Sequence, residues 1–278
     1  MNPAEQARQA ELFRVKHHGK LLLLPNAWDA MSGRIFEAAG FDAIATTSGG
    51  VSWALGYADG EQAPWDEVVS ATARIVRAVR VPVTADIEAG FGATPGAVMN
   101  SVAEIIRAGA VGVNLEDGTP RGATPIRPVA DAAERIRAAR EAARVAGVPI
   151  VINARTDLYL RNIGEDATRF EEAVTRGRVY LAAGADCFYP IGLRDPATIG
   201  NLVKTLAAPI NINVRAGLPS VAELEALGVA RASTASAVAL MAMTMTRQIA
   251  QELRATGRFD ALAPAMTQAE AQQLFAKP

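Results

Sequence analysis

Short apolar runs rich in β-branched residues recur along the chain, and each is followed by a longer Ala/Leu/Arg/Glu stretch whose apolar positions return at helical spacing. Eight such runs occupy residues 21–25 (LLLLP), 42–47 (DAIATT), 81–87 (VPVTADI), 110–116 (AVGVNLE), 148–154 (VPIVINA), 185–190 (ADCFYP), 209–214 (PININV) and 229–234 (VARAST). Five of them are preceded by AAG, RAG, VAG, AAG and ALG, ending at Gly40, Gly109, Gly147, Gly184 and Gly228. Glycine there marks a helix that stops in a left-handed residue before the next strand begins. Runs that are apolar throughout, rather than alternating, belong to strands covered on both faces, as in a parallel sheet flanked by helices. Eight β-then-α units predict an α/β fold of the (β/α)8 TIM-barrel type. The alternative, an open doubly wound sheet, calls for a Gly-rich phosphate loop after its first strand. Here PNAWDAMS follows residue 24, which favours the barrel.

Two pieces lie outside this beat. A leading segment, residues 1–20, carries one predicted helix over 3–18, and residues 236–278 supply more helix than one unit needs. Both are expected to make packing or subunit contacts around a single barrel domain spanning 1–278. Met241, Met243 and Met245 in the trailing segment suit core or interface packing better than a cofactor site.

Composition narrows the function. The chain has 278 residues, with 28 Lys+Arg against 29 Asp+Glu, and only 5% aromatic residues. Balanced charge without a basic cluster gives no footprint for a phosphate backbone, so nucleic acid is not an expected partner. No apolar run approaches the roughly 20 residues that span a bilayer, and the opening residues lack a basic-then-apolar leader, so a cytoplasmic protein with no membrane partner is expected. The single cysteine, Cys187, excludes an intrachain disulfide and sits within an apolar run, where a buried inert thiol is expected.

Barrel chemistry gathers where strands end and βα loops begin. None of the four lysines, Lys16, Lys20, Lys204 and Lys277, falls there, which argues against a Schiff-base enzyme. The two histidines, His17 and His18, lie in the leading segment and are expected to be exposed. The strand ends are acidic instead: Asp59 in the loop after the second run, Asp86 and Glu88 after the third, Glu116 and Asp117 after the fourth. Carboxylates converging on one mouth raise one another's pKa unless a cation neutralises them. An oxygen-only ligand set selects Mg2+, with Mn2+ as the close substitute, and Asp86 is the first choice as direct ligand. Arg155, ending the fifth run, must hold a protein carboxylate or a substrate anion. Ser48-Gly49-Gly50 offers backbone N–H groups suited to a carboxylate or a developing enolate oxygen. Tyr57, Tyr159 and Tyr189 lie near strand ends, where they could act as acids or simply pack.

Taken together, TSGG at 47–50, Asp59, ADIEAGFG at 85–92, NLED at 114–117, ARTD at 154–157 and the strand end at Asn213 resemble the isocitrate lyase and phosphoenolpyruvate mutase superfamily, over about Pro25 to Ala235. The resemblance implies a (β/α)8 barrel whose last helix is exchanged between subunits of a homodimer or homotetramer. It implies Mg2+ at Asp86, with Glu88, Glu116 and Asp59 acting directly or through water. It further implies that Thr46, Ser48, Gly49, Gly50, Arg155 and Asn213 surround a small 2-oxo or 2-hydroxy carboxylate, with Asp59, Arg155 and Glu116 taking part in catalysis. Chemistry in the family makes or breaks a bond to C3 of a pyruvate-like or succinate-like unit through a metal-stabilised enolate.

The chain departs from the family in the loop after the fourth run. Lyases carry Lys-Lys-Cys-Gly-His or Lys-Arg-Cys-Gly-His there, whereas this chain has EDGTPRGATPIRPV, without Cys, His or Lys. Mutases and phosphonopyruvate hydrolases carry Lys with Asn or Thr, which only Thr119, Arg121 and Thr124 could imitate. Glu88 stands in place of the family's second Asp, Thr46 in place of Trp or Tyr, and Arg215-Ala216 in place of Thr-Glu. Three readings follow: a carbon–carbon lyase or decarboxylase, a carbon–phosphorus enzyme, and a 2-oxo acid binding protein without turnover.

Overall fold

The computed structural model describes residues 2–119, 124–263 and 265–276. Each of the eight apolar runs contains a strand, and every strand pairing is parallel. The strands are β1 (Leu22–Leu24), β2 (Asn26–Ala27), β3 (Ile44–Thr46), β4 (Val83–Asp86), β5 (Gly112–Glu116), β6 (Val151–Thr156), β7 (Cys187–Pro190), β8 (Asn211–Asn213) and β9 (Arg231–Ser233). The first run holds β1, and β2 follows just beyond it, because Pro25 has no N–H to give to a ladder. Ahead of it β1 pairs with β9, and after it β2 pairs with β3. Two ladders result, β1-β9-β8 and β2-β3-β4-β5-β6-β7. A bridge between Phe188 and Ile210, with the Phe188 N–H donating to the Pro209 carbonyl at 3.0 Å, joins β7 to β8. The segment 22–27 thus joins both ladders, β1 one and β2 the other, and the barrel closes.

The helices are α1 (Pro3–Val15), α2 (Ala30–Ala38), α3 (Ser48–Leu55), α4 (Trp65–Ala78), α5 (Pro95–Arg107), α6 (Val129–Ala146), α7 (Asp166–Ala182), α8 (Pro196–Leu206), α9 (Val221–Ala226), α10 (Ala237–Thr256) and α11 (Gln268–Phe275). All five glycines that precede strands take positive φ, between 67° and 107°, the left-handed stop anticipated from their position. Alternation along β5 divides the two sides of the sheet. Val113 and Leu115 pack into the apolar shell beneath the helices, while Gly112, Asn114 and Glu116 face the other way. Asn114 of β5 meets both Asn153 of β6 and Arg231 of β9, a meeting that only the barrel's interior permits. The strands are buried on both faces, but the inner face is polar rather than apolar.

Helix α1 closes the amino-terminal end of the barrel. Phe13 is fully buried, Gln6 Nε2 donates to the Ile106 and Ala110 carbonyls at 2.7 and 2.9 Å, and Arg14 pairs with Asp186. A Cβ on Gly112 would come 3.0 Å from Phe13 Cε1 and 2.7 Å from Thr84 Oγ1, so the plug and the ladder are fitted to a missing side chain. Packing, then, accounts for the leading segment. At the other end of the chain Met241, Met243 and Met245 stand exposed along α10, while the Leu274 carbonyl of α11 accepts from Arg34 Nε at 2.6 Å. Among the described residues no helix is long and apolar enough to cross a membrane.

His17 corrects the expectation of an exposed side chain, since it retains only 3% of its surface. Its ring stands edge-on to Phe13 with centroids 4.9 Å apart, and Nδ1 donates to the Phe13 carbonyl at 2.9 Å. Nε2 is buried without a partner, and burial followed by the Arg231 charge lowers the imidazole pKa to about 3. The unfolded chain therefore takes up this proton near pH 6.5 while the folded chain refuses it until about pH 3. The stability it contributes is whole above pH 6.5 and is lost progressively below, at up to about 1.4 kcal/mol per pH unit. We expect His17→Asn to flatten the fall in melting temperature between pH 6.5 and 4.5 relative to the wild type. Parallel curves for the two proteins would show that His17 does not titrate in this way.

Candidate active site

Parallel register brings the carboxyl ends of the strands to one rim. Asp86 lies opposite Asn114, Glu116 opposite Arg155, and Arg155 opposite Tyr189. There the side chains surround a cavity of about 340 Å³ whose wall includes Ser48, Asp59, Asp86, Asn114, Arg155, Tyr189 and Asn213, with Asn26, Leu160, Arg215, Ser236 and Leu240 completing it. Six residues given a candidate role from the sequence are thus together: Ser48, Asp59, Asp86, Arg155, Tyr189 and Asn213.

The others stand one step back. Thr46 is buried, and its hydroxyl accepts the Asp86 N–H at 2.8 Å, so it orients the acid rather than bordering the cavity. Ser48-Gly49-Gly50 is not a loop but the first turn of α3, whose N–H groups lack intrahelical acceptors. Ser48 N–H points at Asp86 Oδ2 from 3.4 Å. A Cβ on Gly49 would sit 3.2 Å from Asp59 Oδ2, and one on Gly50 would collide with Thr47 and Trp28 at 2.6 and 2.8 Å. The first glycine makes room for Asp59, and the second for packing. Glu88 takes φ +51 and turns its Oε2 to the Glu61 N–H at 2.7 Å. Glu116 pairs with Arg155 at 2.7 Å, behind the wall.

The two possibilities open for Arg155 resolve toward the protein's own acids. Nη1 meets Glu116, and Nε meets Asp157 Oδ1 at 2.8 Å, while Asp157 in turn holds Arg161. Against the burial that lowers it, Glu116 and Asp157 hold the Arg155 guanidinium well above its usual pKa. Asp117 lies deeper, accepting from Arg176 at 3.0 Å and from the Tyr180 hydroxyl at 2.8 Å, and anchors the base of the following loop. Thr119 and Thr124 flank that loop, whereas Pro120, Arg121 and Gly122 lie outside the described residues.

Burial dominates the electrostatics. It raises the Asp86 carboxyl, opposed by Arg155 and reinforced by Asp59. Burial, then Asp59 and Asp86, pushes Glu88 up to about 8, and burial holds Glu116 well above its ordinary value despite Arg155. Asp59 and Asp86 share this mouth with Arg155 and Arg215, while Glu88 and Glu116 stand behind it. Among the described residues no three His, Cys, Asp or Glu side chains form a ready cage. Mg2+ does not need one, since it keeps several waters and takes one or two carboxylates directly. Asp86 and Asp59 on the wall, with oxygen donors only, fit that ion.

Tyr57 and Tyr159 do not border the cavity, but Tyr189 does; burial pushes its phenol up to about 12, so it keeps its proton at neutral pH. The Asn213 Oδ1 accepts the Gly192 N–H at 3.0 Å, which leaves its amide N–H groups for the cavity side. Cys187 is fully buried with its thiol raised to about 12, the inert state expected for it. Asn114 was not singled out from the sequence, although it lies two residues before Glu116, on the same face of the strand.

The phosphoenolpyruvate phosphomutase family profile matches residues 12–254. A 2,3-dimethylmalate lyase of Eubacterium barkeri is 34% identical over 237 residues, covering 82% of this chain and 78% of the relative. Among solved structures, a provisionally assigned lyase/mutase of Burkholderia cenocepacia J2315 is 36% identical, with TM-score 0.91 over 98% of this chain and 97% of that one. Oxaloacetate acetylhydrolase in complex with its product oxalate is 25% identical, with TM-score 0.83 over 96% and 93%.

A hard cation that relieves this crowding must stabilise the folded state. We expect millimolar Mg2+ to raise the melting temperature over that in EDTA by on the order of 5 °C, the size of a site filled to about 100 times its Kd. Asp86→Ala should abolish the rise. An equal rise in both proteins would place the cation elsewhere.

Proposed function

The chain belongs to the phosphoenolpyruvate phosphomutase family, whose relatives are lyases and mutases acting on small carboxylates, and on that premise we propose that it is a Mg2+-dependent carbon–carbon lyase for a small 2-oxo or 2-hydroxy di- or tricarboxylate. One observation carries this reading: the carboxylates of Asp59 and Asp86, the guanidinium of Arg155 and the start of α3 share one cavity of about 340 Å³. Asp86, with Asp59 beside it and Glu88 and Glu116 behind, is the place for the ion, which when bound supplies Lewis acidity to a substrate oxygen. Glu116 and Asp157 keep Arg155 stationary, so its remaining field acts on a substrate carboxylate without the guanidinium having to reorganise.

Breaking the carbon–carbon bond leaves its electron pair beside the 2-oxo group when a 2-oxo acid loses CO2, or beside a carboxylate in retro-aldol cleavage of a 2-hydroxy acid, whose hydroxyl gives its proton to a base; in both the pair is delocalised onto oxygen. The first turn of α3 presents N–H groups at the positive end of a helix, the environment that lowers the energy of such an oxyanion. Protonation of that carbon requires a donor. Tyr189 carries a proton on the cavity wall at neutral pH, and its pKa of about 12 makes it an acid rather than a base. Decarboxylation, which needs no base to begin, suits this wall at least as well as retro-aldol cleavage. Leu240, Met241, Met243 and Met245 are large apolar side chains left exposed on α10, which supports pairing of subunits into a homodimer or homotetramer through that helix.

The test is a substrate panel with Mg2+: oxaloacetate, isocitrate, 2-methylisocitrate, 2,3-dimethylmalate and phosphonopyruvate, followed for pyruvate, glyoxylate, oxalate and phosphate. We expect one of the first four to be consumed at least tenfold faster than in a metal-only blank, and Asp86→Ala to lower that rate at least 100-fold. Phosphate release from phosphonopyruvate alone would replace this reading with carbon–phosphorus chemistry. Ligand-dependent melting without any product would make the chain a binding protein.

A further inference from the structure

Asn114 borders the cavity from β5 with 4% of its surface exposed. Its Oδ1 receives Asn153 Nδ2–H at 2.8 Å and Arg231 Nη2–H at 3.2 Å. A guanidinium has donors only, so the atom facing Arg231 has to be the oxygen. That removes the two-fold ambiguity of a carboxamide and turns its nitrogen to the opposite side. Nδ2 donates to no described residue, nor is it among the polar atoms sealed away without a partner. The nitrogen therefore keeps an accessible face on a residue that borders the cavity, next to Asp86, its register partner on β4.

Arg231 is an expensive way to hold an amide. It is fully buried, and Nε and Nη1 find no partner among the described residues. A cation so placed costs stability. Among the described residues its guanidinium makes one hydrogen bond, to Asn114.

Resting on the reading of the cavity as a carboxylate site, we propose that Asn114 is a substrate-binding residue whose carboxamide donates to an oxygen of the small 2-oxo or 2-hydroxy acid, with Arg231 and Asn153 as positioning residues that fix its orientation. An oxygen drawn to the Asp86 side of the cavity meets these donors on the neighbouring strand. Its opposite end faces the amide of Asn213 and the start of α3.

Oxalate, a planar dianion carrying the two-carbon end of such acids, is the probe, titrated calorimetrically into the full-length chain in Mg2+ buffer. Asn114→Asp keeps an acceptor for Arg231 and Asn153 but has no donor, so Kd should rise at least tenfold with no loss of melting temperature. Arg231→Met frees the carboxamide to turn and should weaken binding three- to tenfold. Arg231→Gln loses the same charge yet retains an N–H for the Asn114 oxygen, and should stay within twofold of wild type. Equal affinities for the Met and Gln variants, or an Asn114→Asp loss no larger than that of Arg231→Gln, would overturn the inference while leaving the carboxylate site intact. No binding of oxalate by the wild type would overturn both.

Discussion

The site depends on one constraint, the register of the parallel ladder from β4 to β7. Asp86 is opposite Asn114, Glu116 opposite Arg155, and Arg155 opposite Tyr189. Side chains alternate with period two, so a slip of one residue would send Glu116 or Arg155 outward into the apolar shell beneath the helices. The register is held from both sides of the sheet. Outside, Val113, Leu115, Ile152 and Ala154 pack into the main core. Inside, the Glu116–Arg155–Asp157 ion pairs require two adjacent strand ends to stay level. Positioning of the chemistry and specification of the fold are here one set of contacts.

That arrangement also accounts for the polar barrel interior. A barrel filled by Val, Ile and Leu would be more stable, because buried polar groups need partners and some here have none. Thr84 Oγ1, Asn153 Oδ1, His17 Nε2 and two nitrogens of Arg231 are sealed without partners among the described residues. These atoms lie below the cavity, between it and the α1 plug. Sites that violate the rules of core packing are commonly those selected for function, and the polar interior continues directly into the mouth through Asn114.

Much of this was legible beforehand. The eight-fold beat, its glycine stops and the acidic strand ends are repeated features, and repetition is what sequence patterns report well. Split pairing at Pro25 was not visible, because ladder partners belong to distant segments. Thr46 and Gly50 were grouped with the cavity through the resemblance. Only the third dimension separates Thr46, which bonds the Asp86 backbone, from Ser48, which borders the cavity, and the helical turn that starts at Ser48 carries Gly50 against Trp28. His17 looked exposed because nothing local indicates that a residue just past α1 lies under a buried arginine from β9. Asn114 was quoted within NLED but given no role, because an amide carries no charge to draw notice, although its spacing from Glu116 put it on the right face.

The mouth makes two electrostatic demands that a single ligand must meet. Asp86, Glu88 and Glu116, all with pKa raised by burial, favour the arrival of a cation. The start of α3 and the amides of Asn114 and Asn213 favour an anion. Neither ion alone satisfies both, since a lone anion faces the carboxylates and a lone cation leaves the donors unused. A divalent cation accompanied by a chelating 2-oxo or 2-hydroxy acid answers both at once, and its net charge at the wall stays small enough to be buried in a cavity of about 340 Å³. The same balance disfavours a neutral substrate, which would leave the acids uncompensated. It also makes the removal of any one member felt through all the others, because the charges lie within a few residues of one rim and are poorly screened by water.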